Sequence, residues 1–360
     1  MSKNYRIAII GVGAIATMHA KAIGDIENAE LVAGSCRGEE KGKKFAEEYG
    51  CQWFSDYTTM LDEAKPDFVT ICTPSGAHLE PVKACAARGI HVLCEKPLEI
   101  TTARVDEMIQ AAQDAGITLG GIFPQRFNPV IQTIQEATAE GRLGNLAVVN
   151  SYVPWWRDDA YYAPDRWQGT MALDGGGALM NQSIHGVDLV QWLASSAIGS
   201  SEENPVSEVF AFTAKRGHPE DMIEVEDTAV AVLRFKNGAL GQLLGTTSMY
   251  PGSLKRVQLA GRDGTMEVLE DELVTYQFRN ESDSDDAVRT KFSAETSTGG
   301  GASDPMAIDY SCHTRNIEAF IRALDGKEQL MLDAQEARKA VAIIEAIYES
   351  AKTGQAATLK

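Results

Sequence analysis

The sequence predicts an α/β protein made of two domains, and three observations lead to this fold class. The chain has 360 residues, more than one ordinary hydrophobic core organises. Up to about residue 122, short apolar strands alternate with helical stretches, which is typical of a parallel sheet with helices on both faces. Beyond that point strand-like segments follow one another, which indicates an α+β domain with a large, mostly antiparallel open sheet. We therefore expect domains of residues 1–122 and 123–360, with C-terminal helices that can pack back on the first domain.

The first domain is predicted from this alternation of apolar runs and helical patterns. Ligands of such sheets bind at the carboxyl ends of the strands, so functional residues are expected where each strand ends. The expected strands are Tyr5–Ile10, Leu31–Ser35, Phe68–Cys72, His91–Cys94 and Thr118–Gly121. The expected helices are Ala14–Ile23, Glu39–Tyr49, His78–Arg88 and Thr101–Ala115.

The second domain is predicted to open with a helix near Pro129–Glu140. A further helix, from about Gly177 to Leu193, interrupts a set of β-branched and alternating segments. The expected strands are Leu146–Val153, Val206–Arg216, Thr228–Phe235, Ala239–Met249, Arg256–Gly261 and Gly264–Leu269.

Turn and loop signals complete the second domain. Asn237-Gly238 and Asp263-Gly264 are suited to tight hairpin turns. Glu281–Pro305 is polar and rich in Ser, Asp and Gly, so we expect a mobile loop there. Two helices, His313–Ala323 and Ala334–Lys352, are expected after it.

Composition excludes several classes of partner. The formal net charge of −18 repels nucleic acid and anionic membranes, and no basic cluster interrupts it. The longest apolar runs are too short to span a bilayer, and the first residues do not resemble an export signal. The six cysteines show neither a CxxC pair nor the spacing of a disulfide framework, so we expect reduced thiols and a cytoplasmic location. A small-molecule substrate in a local positive pocket is expected, with no metal.

The strongest functional signal is a glycine-rich turn that directly follows the first predicted strand and opens the first helix. Gly11 permits the tight turn, Gly13 lets the backbone approach a pyrophosphate, and the small Ala16 permits close packing of helix on strand. The free N–H groups at the helix start then face the phosphates. The turn therefore predicts a dinucleotide-binding Rossmann domain. The residues expected to hold the dinucleotide here are Gly11, Gly13, Ala14, Ile15 and Ala16.

The end of the second predicted strand bears on the choice between NAD and NADP. NAD-binding turns of this type carry an acid there, which bonds the ribose hydroxyls. This chain has Ser35 and Arg37 at that point and no acid before Glu39. Serine and arginine can hydrogen-bond a 2′-phosphate that a carboxylate would repel. We expect NADP to be preferred, with NAD possible if Arg37 is only a solvated loop charge.

A lysine follows the fourth strand of this series, at the same edge as the glycine turn. Glu95 and Lys96 end the strand, and Pro97 makes the next segment rigid. A lysine in this place can hydrogen-bond a substrate hydroxyl and can pass a proton if its pKa is lowered. The same tripeptide is also common on protein surfaces, so its position carries the functional interpretation.

The second domain contributes a group of polar residues after the glycines at 175–177. On an α-helix, Asn181, His185 and Asp188 would lie on one face. An imidazole suits proton transfer as a hydroxyl becomes a carbonyl, and Asp188 is placed to orient the ring. The alternative is a buried structural histidine capped by Asp188.

In combination these motifs resemble the glucose–fructose oxidoreductase, inositol dehydrogenase and rhizopine-catabolism (Gfo/Idh/MocA) family. The resemblance covers nearly the whole chain. It implies a Rossmann domain, an α/β domain whose open sheet forms the interface of a homodimer or homotetramer, and hydride transfer between NAD(P) and a sugar or cyclitol carbon. The motifs that carry it are Gly11–Ala16, Thr73-Pro74 with His78, Glu95-Lys96-Pro97, Gly175–Gly177 with Asn181, His185 and Asp188, and Val225–Thr228.

The resemblance also implies roles for individual residues. Lys96 corresponds to the family's catalytic lysine and His185 to its histidine. Inositol-dehydrogenase-like members carry an aspartate where this chain has Asn181, and an amide cannot accept a proton. Asn181 is therefore expected to position the substrate, which puts an inositol-type mechanism in doubt. The further residues implied to contact the cofactor are Thr73, Pro74, His78, Glu95 and Gln125.

An aromatic and cationic segment, residues 155–170, is the expected substrate contact. Aromatic faces stack on sugar rings, and arginine binds carboxylate or phosphate through two hydrogen bonds. The segment looks like that of family members acting on nucleotide-sugar uronates and of related sugar dehydrogenases, although an interface loop with packed aromatic side chains would have the same composition. Arg126 is a further contact implied by the resemblance, or else a solvated charge at a helix start. The expected contacts of the segment are Arg157, Tyr161, Tyr162 and Trp167.

The predicted activity is a reversible hydride transfer between a secondary alcohol of a sugar derivative and the nicotinamide. In the oxidation direction, His185 removes the hydroxyl proton while Lys96 polarises the oxygen. Two other functions stay open: a non-catalytic NAD(P)-binding regulator, and a redox-assisted glycosidase that releases its NAD unchanged. The presence of both Lys96 and His185 argues against the regulator, and nothing in the sequence favours the glycosidase.

Overall fold

The computed structural model describes residues 3–199, 203–219, 221–293 and 309–359. These residues fall into two compact units. The first unit runs to Pro124 and also takes in Asp309–Arg338, whereas the second starts at Gln125 and takes in the residues from Lys339 onward. The first unit is thus assembled from two separate stretches of the chain.

A six-stranded sheet organises the first unit. Its strands are β1 (Tyr5–Ile10), β2 (Ala29–Ser35), β3 (Gln52–Phe54), β4 (Phe68–Ile71), β5 (His91–Cys94) and β6 (Leu119–Gly121). All neighbours pair in parallel, in the order β3-β2-β1-β4-β5-β6. In this Rossmann order the connections reverse between β1 and β4, which leaves a crevice at the carboxyl ends of those two strands.

Crossover helices cover this sheet, because parallel strands cannot be joined by a tight turn. They are α1 (Ala14–Gly24), α2 (Glu39–Tyr49), α3 (Tyr57–Ala64), α4 (Leu79–Ala86) and α5 (Thr102–Ala115). With helices on both faces, all four residues of β4 are buried. This explains its nearly continuous apolar run, broken only by Thr70, which lacks the alternation of a half-exposed strand.

An eight-stranded sheet organises the second unit. Its strands are β7 (Leu146–Pro154), β8 (Val206–Ala214), β9 (Thr228–Phe235), β10 (Leu240–Thr246), β11 (Arg256–Gly261), β12 (Gly264–Leu269), β13 (Glu272–Phe278) and β14 (Ala357–Thr358). Their order is β13-β12-β11-β7-β10-β9-β8-β14. Only β7 and β10 pair in parallel, and the other pairs are antiparallel. Together the two sheets confirm the predicted fold class.

Only one face of the second sheet is buried by its own unit. On β9, Ala231 and Leu233 are buried, while Val232 between them is 52% exposed. The helices of this unit and the two that end the chain are α6 (Pro129–Ala139), α7 (Ile184–Ile198), α8 (Asp285–Lys291), α9 (Ser311–Leu324) and α10 (Ala334–Thr353). Contacts of α7 with β7 and of α6 with β12 cover the buried face.

Helix α9 completes the core of the first unit. Its residues Ile317, Phe320 and Ile321 are buried in the same cluster as Phe68 of β4. The rings of Phe68 and Phe320 meet edge to face, with centroids 5.2 Å apart. The first unit therefore depends on chain that lies far beyond the last of its six strands.

The structure departs from the predicted elements in several places. Four elements, β3, α3, β13 and β14, were not predicted. With three and two residues, β3 and β14 are too brief for a periodic pattern to stand out, whereas β13 and α3, with seven and eight residues, were missed despite their length. The prediction of a loop over Glu281–Pro305 is wrong for Asp285–Lys291, which is α8, and residues 294–305 lie outside the described residues. Both predicted hairpin turns are confirmed, since Asn237-Gly238 joins β9 to β10 and Asp263-Gly264 joins β11 to β12.

Within the described part of the chain, none of the helices combines the length and the apolar character needed to cross a membrane.

Candidate active site

The glycine turn of the first unit is shaped by a close backbone approach. Gly11 has φ +95°, a conformation that residues with a side chain rarely adopt. A Cβ at Gly11 would lie 2.8 Å from the carbonyl carbon of Cys72 and the nitrogen of Thr73. The Gly11 N–H also donates to the carbonyl of Ser35, at 2.9 Å. Only glycine therefore fits between the ends of β2 and β4.

The start of α1 is open in the way a pyrophosphate requires. Gly13 precedes the helix, and no side chain caps its first N–H groups. A Cβ at Gly13 would meet no described atom within 4 Å, so the backbone itself borders free space. Ala14 is exposed and Ile15 half-buried, whereas Ala16 is fully buried against the sheet. Unpaired N–H groups at a helix start bind phosphate, so these residues fit a dinucleotide.

The end of β2 lies beside this turn. Ser35 is buried and Arg37 is exposed. The indole of Trp53 donates to the carbonyl of Cys36, at 3.2 Å, and fixes the backbone between them. Arg37 thus stands on a fixed loop with its guanidinium in solvent.

His78 joins the ends of β4 and β5. Its Nε2 lies 2.9 Å from the carbonyl of Thr73, and its Nδ1 lies 3.0 Å from the carbonyls of Pro97 and Leu98. The ring is fully buried, so His78 fixes the two loops whose residues were predicted to meet the cofactor. Pro74 and Lys96 are half-buried within these loops, and the Lys96–Pro97 peptide is cis.

The sequence did not predict a cluster of titratable groups that forms around Glu95, the residue before Lys96. Glu95 is buried, with a carboxylate oxygen 2.9 Å from His19 Nε2 and 3.9 Å from His313 Nε2. The three side chains come from α1, the end of β5 and α9. Their spacing in the sequence gives no signal, because only the fold brings these elements together.

In the second unit, the predicted helix from Gly177 to Leu193 is two helices of different pitch. Ala178–Ser183 forms a π-helix, and α7 then continues to Ile198. The carboxylate of Glu226 accepts hydrogen bonds from the N–H groups of Gly177 and Leu179, both at 2.9 Å. Short π-helical segments are frequent at functional sites, and here the segment carries Asn181.

Asn181 lies in a buried polar network. Its amide donates to Asp174, at 2.7 Å, and its oxygen accepts from the amide of Gln182, also at 2.7 Å. Gln182 also donates to the hydroxyl of Tyr161, at 2.8 Å. Burial, followed by the negative charge of Asp174, raises the pKa of Tyr161 above its usual range, so this hydroxyl stays a hydrogen-bond donor.

Arg157 belongs to the same network. Its guanidinium donates twice to the side-chain oxygen of Gln182, at 3.1 and 2.7 Å. The group also lies over the ring of Trp155, 5.1 Å from its centroid. Arg157 is only 4% exposed, so its charge is held in place rather than solvated.

Tyr162 and Trp167 are less involved in this network. The hydroxyl of Tyr162 donates to Thr247, at 3.0 Å, and its ring is buried. Trp167 is half-buried, and its carbonyl accepts from Thr170. Their predicted contact with substrate stays a prediction.

Arg126 is not solvated, which removes one of the two interpretations of its sequence position. It is fully buried, and its guanidinium donates to both oxygens of Asp188, at 2.7 and 2.5 Å. The guanidinium also lies over the ring of Trp192. The charge of Asp188 is thus matched by Arg126, while His185 lies half-buried on the first turn of α7. Gln125 is half-buried beside Arg126.

The comparisons with known proteins decide the family. A family model described as an oxidoreductase family with an NAD-binding Rossmann fold matches residues 5–121. The companion model, for the C-terminal α/β domain of the same family, matches residues 135–359. The chain belongs to the Gfo/Idh/MocA family. It is therefore an oxidoreductase that uses a nicotinamide dinucleotide, and this prediction is confirmed.

Several individual members of the Gfo/Idh/MocA family are similar to this chain. The myo-inositol 2-dehydrogenase of Thermotoga maritima is 32% identical over 265 residues, which cover 72% of this chain and 73% of that protein. The D-glucoside 3-dehydrogenase of Escherichia coli is 28% identical and covers 98% of this chain and 97% of that protein. The WlbA dehydrogenase from Bordetella pertussis, solved in complex with NADH and UDP-GlcNAcA, is 30% identical with a TM-score of 0.88 and covers 100% of this chain and 99% of that one.

The buried pair of His218 and Asp227, which was not predicted from the sequence, supports the backbone of Arg157. His218 Nε2 donates to the carbonyl of Arg157, at 2.8 Å, and Nδ1 lies 3.1 Å from the carboxylate of Asp227. Although burial opposes it, the hydrogen bond with Asp227 raises the pKa of His218. Asp227 thus orients the ring of His218, and His218 holds the backbone carbonyl of Arg157.

Replacing Gly177 tests the link between the π-helix and Glu226. A Cβ at Gly177 would lie 1.7 Å from the carbonyl oxygen of Glu226, so Gly177→Ala must displace one backbone from the other. We expect a loss of about 1–3 kcal/mol in the free energy of unfolding, measured by urea denaturation. Gly24→Ala is the control, because a Cβ there would meet no described atom within 4 Å. Equal stability of the two variants would contradict this account of the site.

Proposed function

We propose that this oxidoreductase acts on a ring carbon of a nucleotide-linked sugar acid. The observation that carries the proposal is the buried guanidinium of Arg157, held against the amide of Gln182 and the network of Asn181 and Tyr161. Similarity over the whole chain to a dehydrogenase that binds UDP-GlcNAcA supports it. Sugar and cyclitol dehydrogenases are also the relatives that match by sequence.

Charge favours an anionic substrate over a neutral one. A nucleotide-linked sugar acid carries a diphosphate and a carboxylate, and the net charge of −18 opposes its approach. A buried arginine in a site of low dielectric offsets this repulsion locally, because its positive charge attracts an anionic substrate. A neutral cyclitol would have no use for that group.

Asn181 argues against the mechanism of inositol-dehydrogenase-like members. Its amide is fixed by Asp174 and Gln182, so it can donate or accept hydrogen bonds but cannot take up a proton. Asn181 therefore cannot take part in a proton relay. Asn181 instead orients the substrate, and the acid/base work is left to Lys96 and His185.

The dinucleotide supplies hydride acceptance or donation when it is bound. His185 accepts the proton of the substrate hydroxyl in the oxidation direction, since a neutral imidazole is a base near neutral pH. Lys96 donates a hydrogen bond to the same oxygen and stabilises the charge that develops on it. The reverse proton movements serve reduction.

Substitution of Lys96 and of His185 tests these two roles. We expect Lys96→Met and His185→Ala each to lower kcat by about 10²–10⁴-fold, because each removes a group that acts on the reacting oxygen. Dinucleotide affinity, measured by fluorescence titration, should stay within a few-fold of the unmodified protein. Lys83→Met, an exposed lysine paired with Glu107, is the control and should keep full turnover. Retained turnover in either test variant would reject the role assigned to it.

The substrate class is tested through Arg157. With a panel of nucleotide-linked sugar acids, their neutral counterparts, free sugars and cyclitols, kcat/KM should be highest for the acids. Arg157→Gln should lower kcat/KM for the acid by about 10–100-fold, because a charged hydrogen bond is lost, and change that for neutral sugars little. The proposal fails if the variant loses the same factor on both kinds of substrate.

We also propose that NADP is preferred over NAD. Arg37 is exposed beside the glycine turn, and the nearest acid, Glu39, pairs with Lys43 on the following helix. NAD is retained as the alternative, since the WlbA structure holds NADH.

Arg37→Ala separates these two possibilities. If Arg37 contacts a 2′-phosphate, KM for NADP should rise about tenfold while KM for NAD changes little. The two constants are measured on the same preparation with the same substrate. Equal activity of the unmodified protein with both dinucleotides would defeat the NADP proposal before the variant is made.

We propose further that a second copy of the chain covers the open face of the eight-stranded sheet. Phe212 and Val232 on that face are 69% and 52% exposed, and Phe210 lies opposite Val232 in the register of β8 and β9. Contiguous exposed apolar side chains of this kind mark protein interfaces. The mass of the particle in solution, measured by light scattering, distinguishes a homodimer or homotetramer from a monomer.

A further inference from the structure

Glu95 stands immediately before Lys96, yet its side chain points into the core of the first unit. The carboxylate is buried, with the residue only 5% exposed. Sequence reasoning placed it among the residues that hold the cofactor. A buried carboxylate is costly unless it is paired and hydrogen-bonded, so its partners indicate what it does.

Each oxygen of Glu95 has its own partner. Oε1 lies 2.9 Å from His19 Nε2, and Oε2 accepts the backbone N–H of Lys96, at 3.1 Å. The same carboxylate therefore holds the backbone of Lys96 on one side and α1 on the other.

The ring of His19 is itself oriented from both sides. It is fully buried, and its Nδ1 lies 3.5 Å from the sulfur of Cys72 at the end of β4. The ring of His313, from α9, lies next to it with centroids 5.6 Å apart. His19 thus has one position open to it, with Nε2 directed at Glu95.

This arrangement is an ion pair with a neutral neighbour. Although burial opposes it, Cys72 and Glu95 raise the pKa of His19 to about 10. Burial favours the neutral acid, but His19 outweighs it and lowers the pKa of Glu95 to about 2. Burial lowers the pKa of His313 to about 4. These directions favour a charged His19 beside a charged Glu95, with His313 neutral.

Stability alone does not account for such a pair. Replacing both members of a buried ion pair by apolar residues of similar volume is often neutral or stabilising, whereas removing one member is strongly destabilising. The net stability of the pair therefore does not explain its presence. The hydrogen bond from the Lys96 N–H to Glu95 offers another use for it.

We propose that Glu95 is a positioning residue for Lys96, and that His19 holds Glu95 in place. Through this chain of two hydrogen bonds, the helix that follows the phosphate-binding turn and the lysine that contacts the reacting oxygen keep a fixed relation. The inference rests on the catalytic role proposed for Lys96. A displacement of about 1 Å at a catalytic group costs on the order of 10²-fold in rate, so the fixed relation has kinetic value.

The test compares one single and one double variant. His19→Leu leaves the Glu95 carboxylate buried without its charge partner, so both Tm and kcat should fall. His19→Leu with Glu95→Leu removes the whole pair, so Tm should recover while kcat stays about 10–100-fold low, because Lys96 N–H still lacks its acceptor. Dinucleotide affinity should stay within a few-fold in the double variant.

Two further measurements isolate the hydrogen bond from activity. The amide of Lys96 should exchange its hydrogen faster in the double variant, as measured by mass spectrometry of the peptide that contains it. His19→Gln should restore most of kcat relative to His19→Leu, because its amide can donate to Glu95 where Nε2 does. His91→Leu is the matched control: His91 begins β5 and accepts the N–H of Thr118, at 2.9 Å, so its loss should lower Tm and leave kcat unchanged.

The outcomes separate this inference from the proposed function. If the double variant turns over like the unmodified protein, or if its whole defect lies in dinucleotide affinity, Glu95 does not position Lys96. If Lys96→Met keeps its turnover in the same assay, the catalytic role of Lys96 fails and the inference fails with it. If Lys96→Met is inactive and the double variant has normal kcat, only the inference is overturned.

Discussion

Everything at the carboxyl edge of the parallel sheet depends on how closely the backbone of Gly11 approaches the end of β4. The approach leaves no room for a side chain, and it brings the turn against Cys72 and Thr73. Those residues in turn touch His19 and His78, which reach the end of β5. A series of contacts therefore runs from one glycine through two buried histidines to Glu95 and Pro97, the residues on either side of Lys96.

The sequence predicted the parts of this structure that repeat. The alternation of β1, α1, β2 and α2 was clear, because each element is long enough to bury one face and show a period. Motifs at the strand ends were also found, since topology alone brings them to one edge. Gly11 could be interpreted as part of a cofactor-binding turn, and not only as a structural glycine, because it lies between a strand and a helix.

The parts that were missed depend on contacts between distant residues. The π-helix at Ala178–Ser183 needs Glu226 at its start, and no local pattern in the sequence records that partner. The pairing of Arg126 with Asp188 is likewise invisible, because an arginine at a helix start looks the same whether it is solvated or buried. Short strands such as β3 offer three residues, too few for any period to be seen.

Because α9 lies late in the chain, the core of the first unit is completed late during synthesis. The residues that close the first core, among them Ile317 and Phe320, leave the ribosome only after seven of the eight strands of the second sheet have been synthesised. Until α9 is synthesised, the apolar surface of the cofactor-binding unit that α9 covers stays exposed. In a chain truncated after Pro124, that surface would never be covered. An N-terminal fragment that ends at Pro124 therefore lacks the α9 residues that cover its core.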